Sequence, residues 1–501
     1  MPTYPNPSYT TLCLPTVVLD TTLTDLYRQS GSPCAGKRIG QVLGTFSATL
    51  TLGPKVTPNR KYVYQDSPFT SSHDMTPADD AITSIKYLSL LNQRDAFMCG
   101  TSPAIFFHMG SSPQRKRHDQ KQVVKTLATL SDAQRPPLVF CDGPEYIPIK
   151  EANIDVVACK AISDYLEGYE NVVPLETHWF LNTKRALAES GLPTPRSVAV
   201  TVEGFPINSK SCCALCIENC LEGFVIPSGC VGARGTWLRE QSSRLYQAIE
   251  SYPLPFVLKN QMTFGGAGTF IVRTEKDRQG ITNDFGKGFL SRLLSSVNET
   301  NSHLEPATLI FSDLIQDPIG DYGITFFVNE KGRRPIFLGV SEQIIEGDTA
   351  WVGSIIDYSQ QNELRLKFSS LVVQISEWLQ SYGYVGPAGA DVLEDADGSL
   401  YVVDLNVRTT GSCSLPLLRN HFTSRGLDCA SSFAVDVEKR RDEFISMFSS
   451  ELQEGRMCIL SWYEDEMSGC SLGHLVVGAQ DEVSLKQLTD RVRETCGHVT
   501  F

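Results

Sequence analysis

Asp391 and Asp404 are the two side chains in this sequence best placed to share a cation. They lie within Gly386–Gly411, GPAGADVLEDADGSLYVVDLNVRTTG, which reads as two strands joined by an Asp397-Gly398 turn. With those two residues as the loop, facing positions have numbers that sum to that of the turn pair, so Asp391 opposes Asp404. Directly opposed side chains sit roughly 4.5–5.5 Å apart at Cβ, and like charges there repel unless a cation lies between them. Strand alternation puts Asn406 and Arg408 on the face of Asp404, opposite Gly389 and Pro387, which leave room for a ligand. The other face carries Val392, Val403, Leu405 and Val407, a set that can bury. Two carboxylates and an amide are hard oxygen ligands of the kind that hold Mg²⁺ together with substrate phosphates. A surface hairpin with scattered charges explains the turn and the alternation, but not the clustering on one face.

A second segment, residues 255–272, reads PFVLKNQMTFGGAGTFIV. Phe256–Leu258 and Thr269–Val272 have strand composition. Between them come Lys259 and the glycine-rich Gly265-Gly266-Ala267-Gly268. Glycines let backbone N–H groups approach phosphate oxygens, and a lysine at a strand end adds a point charge. No Gly-Lys-Ser/Thr and no helical pattern follows, so this is not a P-loop. It reads as a strand–loop–strand flap.

In this order, a lysine-bearing strand, a flap, a hydrophobic hinge strand (Thr308–Ile315, TLIFSDLI) and Asp404-Leu405-Asn406-Val407-Arg408 resemble the ATP-grasp superfamily, over roughly residues 180–435. The overall look is that of fungal ATP-grasp proteins of secondary metabolism. The resemblance implies an α/β (α+β) fold of two lobes clasping ATP, preceded by a Rossmann-like pre-ATP-grasp domain. It implies 1–180 pre-ATP-grasp, 181–305 N-terminal lobe with the flap, and 306–435 C-terminal lobe with the metal hairpin; the tail 436–501 reads as strand, strand and amphipathic helix, a small closing subdomain. The resemblance further implies that Lys184, Lys259, Gly265, Gly266 and Gly268 bind ATP phosphates. Asp313, Leu314 and Ile315 would hold adenine, and Asp321 ribose. Asp391, Asp404 and Asn406 would hold Mg²⁺, with Mn²⁺ as an alternative, and Lys259 and Arg408 would be catalytic. Arg408, Thr410, Ser412 and Glu342 would line the substrate pocket, together with the segment Gly339–Ile355. Two positions depart from the pattern. Ser312 stands where the hinge usually begins with an acid, and Gly389 where many amide ligases carry arginine.

The implied activity is ATP-dependent carboxylate–amine ligation through an acyl phosphate, with ADP and phosphate released, on amino acids or small peptides. The alternatives are a phosphotransferase or carboxylase-type enzyme of the same fold, and a nucleotide-binding protein without catalysis. Retention of Lys259, Asp391, Asp404, Asn406 and Arg408 argues against the last.

The 501 residues exceed one ordinary core, and 41% hydrophobic content is that of a soluble globular chain. A net charge of −13 argues against a nucleic-acid partner. The basic run Gln114–His118 reads as a solvated face. No apolar run reaches about 18 residues, so no membrane partner is expected. The N-terminus lacks a basic start and an apolar h-region, which predicts a cytoplasmic protein. Partners are then small molecules, with a homodimer allowed. Fifteen cysteines in such a chain are expected to be reduced. The cluster Cys212, Cys213, Cys216, Cys220 and Cys230 lacks paired knuckles and a nearby histidine, which favours buried thiols over zinc. The N-terminal region includes the apolar runs Ala104–Phe107 and Pro137–Phe140, and Val156–Leu166 reads as a helix.

Overall fold

The computed structural model describes residues 14–44, 60–65, 90–108, 112–207, 213–214, 226, 229–263, 266, 268–347, 350–465 and 470–496. Gly265 and Cys212, Cys216 and Cys220 lie outside that set.

Four short apolar strands open the chain: β1 (Ile39–Val42), β2 (Ala104–Phe107), β3 (Leu138–Cys141) and β4 (Val156–Cys159). They pair in parallel in the order β3-β2-β1-β4. Near-continuous apolar runs suit a parallel sheet covered on both faces, so the expected Rossmann-like layer is present. Val156–Leu166 is not a helix. Its first four residues are β4, and only Asp164–Gly168 coil, as a 3-10 turn. Val156 and Val157 are β-branched and buried beside β1, and sheet burial outweighs the apolar spacing.

The second sheet is the small lobe: β5 (Ser197–Val200), β6 (Phe256–Asn260), β7 (Thr269–Val272) and β8 (Leu309–Asp313), in the order β5-β8-β6-β7. The hinge strand β8 therefore pairs with β5 and β6 inside the small lobe, and the 305/306 boundary falls too early. Along β6, Phe256, Leu258 and Asn260 are buried while Val257 and Lys259 are part-exposed, as period-two alternation requires.

The third sheet has eight strands: β9 (Gly320–Val328), β10 (Ile336–Glu346), β11 (Ala350–Asp357), β12 (Gly386–Glu394), β13 (Leu400–Asn406), β14 (Cys429–Val437), β15 (Met457–Glu464) and β16 (Ser471–Ala479). Their order is β13-β12-β9-β10-β11-β14-β16-β15. Residues 436–501 are thus not a separate subdomain: β15 and β16 extend the large-lobe sheet through β14. The segment Gly339–Ile355 forms most of the β10–β11 hairpin.

The helix Gln361–Ser381 packs one face of this sheet. Its Phe368, Leu371, Val372, Ile375 and Leu379 share a buried cluster with Ile324, Phe326, Val392, Val402 and Leu405. Burying each such side chain stabilises by about 1.5–3 kcal/mol, so this face is committed to core and the opposite face is left for chemistry.

Candidate active site

The β12–β13 hairpin places Asp391 directly opposite Asp404 and Gly389 opposite Asn406. The route to that register differs from the expected one. Nearest the turn, Glu394 faces Leu400 and Val392 faces Val402, one residue out of step with a two-residue Asp397-Gly398 loop. The connection is longer, with Gly398 N–H donating to Asp395 O and Asp395 N–H to Ser399 O. A bulge between Asp391 and Val392 restores the pairing. In consequence Val402, not Val403, enters the core, while the Val403 carbonyl accepts from Lys259 Nζ at 2.6 Å.

Gly323 on β9 flanks Asp391, and Ser341 on β10 flanks Gly323. Asp321 and Gln343 lie two residues along on the same face, and both act on Asp391. Burial raises the Asp391 carboxyl to about 7, with Asp404 and then Asp321 adding repulsion against the pull of Lys184 and a Gln343 hydrogen bond. Burial also opposes the charge of Asp404, but Lys184, Lys259 and Arg408 outweigh it and hold this carboxyl below its ordinary value. Asp321 rises to about 6 through burial. Asn406 Nδ2 donates to Asp391 Oδ2 at 3.3 Å.

Two lysines reach this face from outside the sheet. Lys184 opens the short helix Lys184–Ala188, capped by Thr183, and its Nζ pairs with Asp404 Oδ1. Its backbone N–H donates to Gln261 O in the small lobe. Lys259 comes from β6, and burial lowers it to about 8 against the pull of Asp404. Beyond it, Gly266 and Gly268 have φ of 84° and 66°. A Cβ on Gly268 would lie 2.4 Å from Asn260 Nδ2, so both conformation and space require glycine there. At the hinge, Asp313 is ion-paired with Arg196 at 3.1 Å and Ser312 bonds Ser197 Oγ at 2.8 Å; Leu314 and Ile315 are half-buried.

Arg408 is held by a residue that sequence reasoning passed over. Asn182 Oδ1 accepts from Arg408 Nη1 at 2.9 Å and from Val407 N–H at 3.0 Å, and its Nδ2 donates to Val407 O at 3.3 Å. His178 Nε2 also lies 2.7 Å from Val407 O. A carbonyl only accepts, so that nitrogen carries the proton, and burial lowers the ring to about 4, keeping it neutral. Asn182 thus acts as an extra strand partner for Val407 and a rest for the guanidinium. Asn182→Ala should lower kcat by about 10–100-fold with ATP KM little changed, because misplacement of a reacting-site group costs on that order. Asn182→Asp keeps the acceptor and should retain more activity than Asn182→Ala. Steady-state ADP release reads both variants.

The other expected substrate residues are placed differently. Glu342 pairs with Tyr322, which pairs with Val392 of the core face, so Glu342 lies on the side of the sheet away from Asp391 and Gln343 takes its place. Gly389 does not leave room for a ligand, since its Cβ would lie 2.3 Å from Thr410 Cγ2. Thr410 Oγ1 is 3.2 Å from Ser412 Oγ, and Gly411 packs against the Trp351 ring.

Among the described residues no three His, Cys, Asp or Glu side chains converge on a metal position. The facing carboxylates Asp391 and Asp404 with the Asn406 amide nevertheless fit Mg²⁺, which takes one or two protein carboxylates and completes its shell with phosphate and water. The raised Asp391 shows the charge that such an ion would relieve.

Residues 239–406 match the family described as L-aspartate–L-methionine ligase, ATP grasp. That span holds Lys259, the flap, the hinge, Asp391, Asp404 and Asn406. Among solved structures, the chain is similar to L-amino acid ligase from Bacillus licheniformis, with 10% identity over 93% of this chain and 99% of that one and a TM-score of 0.48. It is similar to the ADP complex of purK, N5-carboxyaminoimidazole ribonucleotide synthetase, with 14% identity over 91% and 96% and a TM-score of 0.47. It is also similar to the biotin carboxylase domain of Hydrogenobacter thermophilus 2-oxoglutarate carboxylase with MgADP, with 12% identity over 93% and 91% and a TM-score of 0.45.

Proposed function

We propose that this ATP-grasp enzyme, an ATP- and Mg²⁺-dependent carboxylate–amine ligase, joins the carboxylate of one amino acid or small peptide to the amine of another, and that it serves secondary metabolism, as its sequence resemblance implies. The observation that carries the reading is the facing pair Asp391 and Asp404, with Lys184 and Lys259 meeting it from outside the sheet. Lys184, Lys259 and the flap would bind the nucleotide phosphates, and Asp391, Asp404 and Asn406 would hold the divalent cation. That cation would neutralise phosphate charge. Phosphoryl transfer is catalysed mainly by positioning and charge neutralisation, which is what these side chains supply.

A substrate carboxylate oxygen attacks the γ-phosphorus, the bond to the β-phosphate oxygen breaks, and ADP leaves. The amine nitrogen then attacks the acyl carbon, the bond to the phosphate oxygen breaks, and the amine gives up a proton. Arg408, held by Asn182, would serve the transferred group. Water must be kept out between the two steps, because an acyl phosphate hydrolyses.

L-aspartate with L-methionine is the first pair to try, from the description of the matching family. With the correct acid, ATP and hydroxylamine, ADP and a hydroxamate should accumulate together, read by coupled assay and mass spectrometry. AMP with pyrophosphate would rule the mechanism out, and ADP without hydroxamate for any acid tried would favour simple phosphotransfer.

A further inference from the structure

The parallel sheet has a switch point that the nucleotide site does not use. In the order β3-β2-β1-β4 the chain runs outward from β1 through β2 and β3, then returns to the other side of β1 with β4. Open parallel sheets bind ligands beyond the carboxyl ends of their strands at such a point. Here the ends of β1 and β4 face the large lobe across a crevice. Its walls are mostly apolar, including Leu43, Val157, Tyr384 and Pro387.

Its polar lining is one-sided in charge. Lys160 follows β4 and Arg408 comes from the large lobe, and among the described residues no acidic side chain lines the crevice. Lys160 Nζ bonds Asp95 Oδ2 at 2.5 Å, and Asp95 is fully buried. The same carboxylate also accepts from Thr409 Oγ1 at 2.8 Å and from Arg94 Nε at 3.3 Å. One anion is therefore shared between two cations and a hydroxyl, with the positive charge of Arg408 beside them. Gln41, 5% exposed, lies on the crevice wall, and its Nε2 has no hydrogen-bond partner. A buried amide donor left unpaired is costly, and a ligand acceptor would satisfy it. Lysine burial lowers Lys160 to about 8, a penalty that an arriving anion would offset. None of Lys184, Lys259, Asp391 or Asp404 lines the crevice, and Arg408 is the residue it shares with the proposed phosphate position, so the crevice adjoins that position.

We infer that this crevice binds the spectator carboxylate of an apolar amino-acid substrate, with Lys160 and the Gln41 amide on the carboxylate and the apolar wall on the side chain. The inference rests on the ligase reading for its substrate class. It makes the amine partner a whole amino acid, so that the product is a peptide with a free carboxyl end.

The test is calorimetric titration of the full chain with 4-methylpentanoate, with its neutral amide, and with inorganic phosphate. The carboxylate should bind and the amide should bind at least 10-fold more weakly. Gln41→Leu should weaken carboxylate binding by about 5–20-fold, and Lys160→Met by more. Lys160→Met leaves Asp95 short of a partner and can fail to fold, so Gln41→Leu decides the matter. Equal binding of acid and amide, no binding of either, tighter binding of phosphate, or an unchanged Gln41→Leu variant would each overturn the inference. If the carboxylate binds as stated but no acid yields a hydroxamate, the ligase reading fails while the crevice stands. If hydroxamate forms and Gln41→Leu binds the carboxylate as wild type does, the crevice fails and the ligase stands.

Discussion

Asp391→Asn is expected to give a protein more stable than wild type by about 1–3 kcal/mol and without Mg²⁺-dependent ADP formation. Asp404→Asn should be equally inactive but less stable. Read from the sequence, the facing carboxylates repel symmetrically, so removing Asp404 should relieve strain. The structure breaks that symmetry. Asp404 has Lys184 on its oxygen and Lys259 and Arg408 near it, while Asp391 faces burial, Asp404 and Asp321 with less relief. The pH dependence follows. Asp391 binds its proton more tightly folded than unfolded, so metal-free stability falls as pH rises from about 4 to about 7, and Asp391→Asn should remove its part of that slope, leaving the smaller part due to Asp321. Asp404 has the opposite sign: its stabilisation is present above the ordinary carboxylate range and is lost as pH falls through its lowered value. Chemical denaturation of both variants between pH 4 and 8, extended below pH 4 for Asp404→Asn, measures this. If Asp404→Asn is the more stable of the two, the assignment of the strained carboxylate is wrong.

Lys259→Met should lower kcat/KM by about 10³-fold or more and weaken nucleotide binding by about 10–100-fold, the value of one hydrogen bond to a charged group. The side chain crosses from β6 to the Val403 carbonyl of β13, so its loss affects both phosphate charge and the apposition of the lobes. Burial holds it at about 8. ATP affinity should therefore fall as pH rises through 8, where the amine loses the charge that attracts phosphate. Bound phosphates favour the protonated amine, so binding near pH 8.5 should take up protons. Calorimetry in two buffers of different ionisation enthalpy counts them. No proton uptake, or wild-type affinity in Lys259→Met, would remove Lys259 from the phosphate site.

Much of this site could be read from residue order, though partly through offsetting errors. The opposition of Asp391 and Asp404 was derived from a two-residue turn; the real connection is longer, and a bulge makes up the difference. Bulges leave little mark on local sequence, which is why Val403 rather than Val402 was assigned to the core. The sequence offers Glu342 within a pocket-lining segment without fixing which residues of it share the face of Asp391; once the segment is β10, alternation selects Gln343. Lys259 and the glycines around it stand out in the sequence because strand ends and glycine spacing are local signals, and their role toward phosphate is part of the proposal. Asn182 was not, since its role depends on Val407, 225 residues away. Gln41, Asp95 and Lys160 likewise meet only through a parallel sheet, whose pairings sequence periodicity does not encode.

The final strands have a consequence for how the chain reaches this state. Gln93 uses its side-chain amide to accept from Trp462 N–H and donate to Trp462 O, across 369 residues. Arg441 likewise bonds Thr126 Oγ1 over 315 residues. The opening layer thus has part of its support supplied by a segment made much later. During synthesis it must wait for β15 before these contacts exist, and closing so long a loop takes entropy before any contact rewards it. Slow, late-completing assembly is the expected behaviour, and a chain stopped near residue 435 would lack both a sheet edge and the anchor for its own beginning.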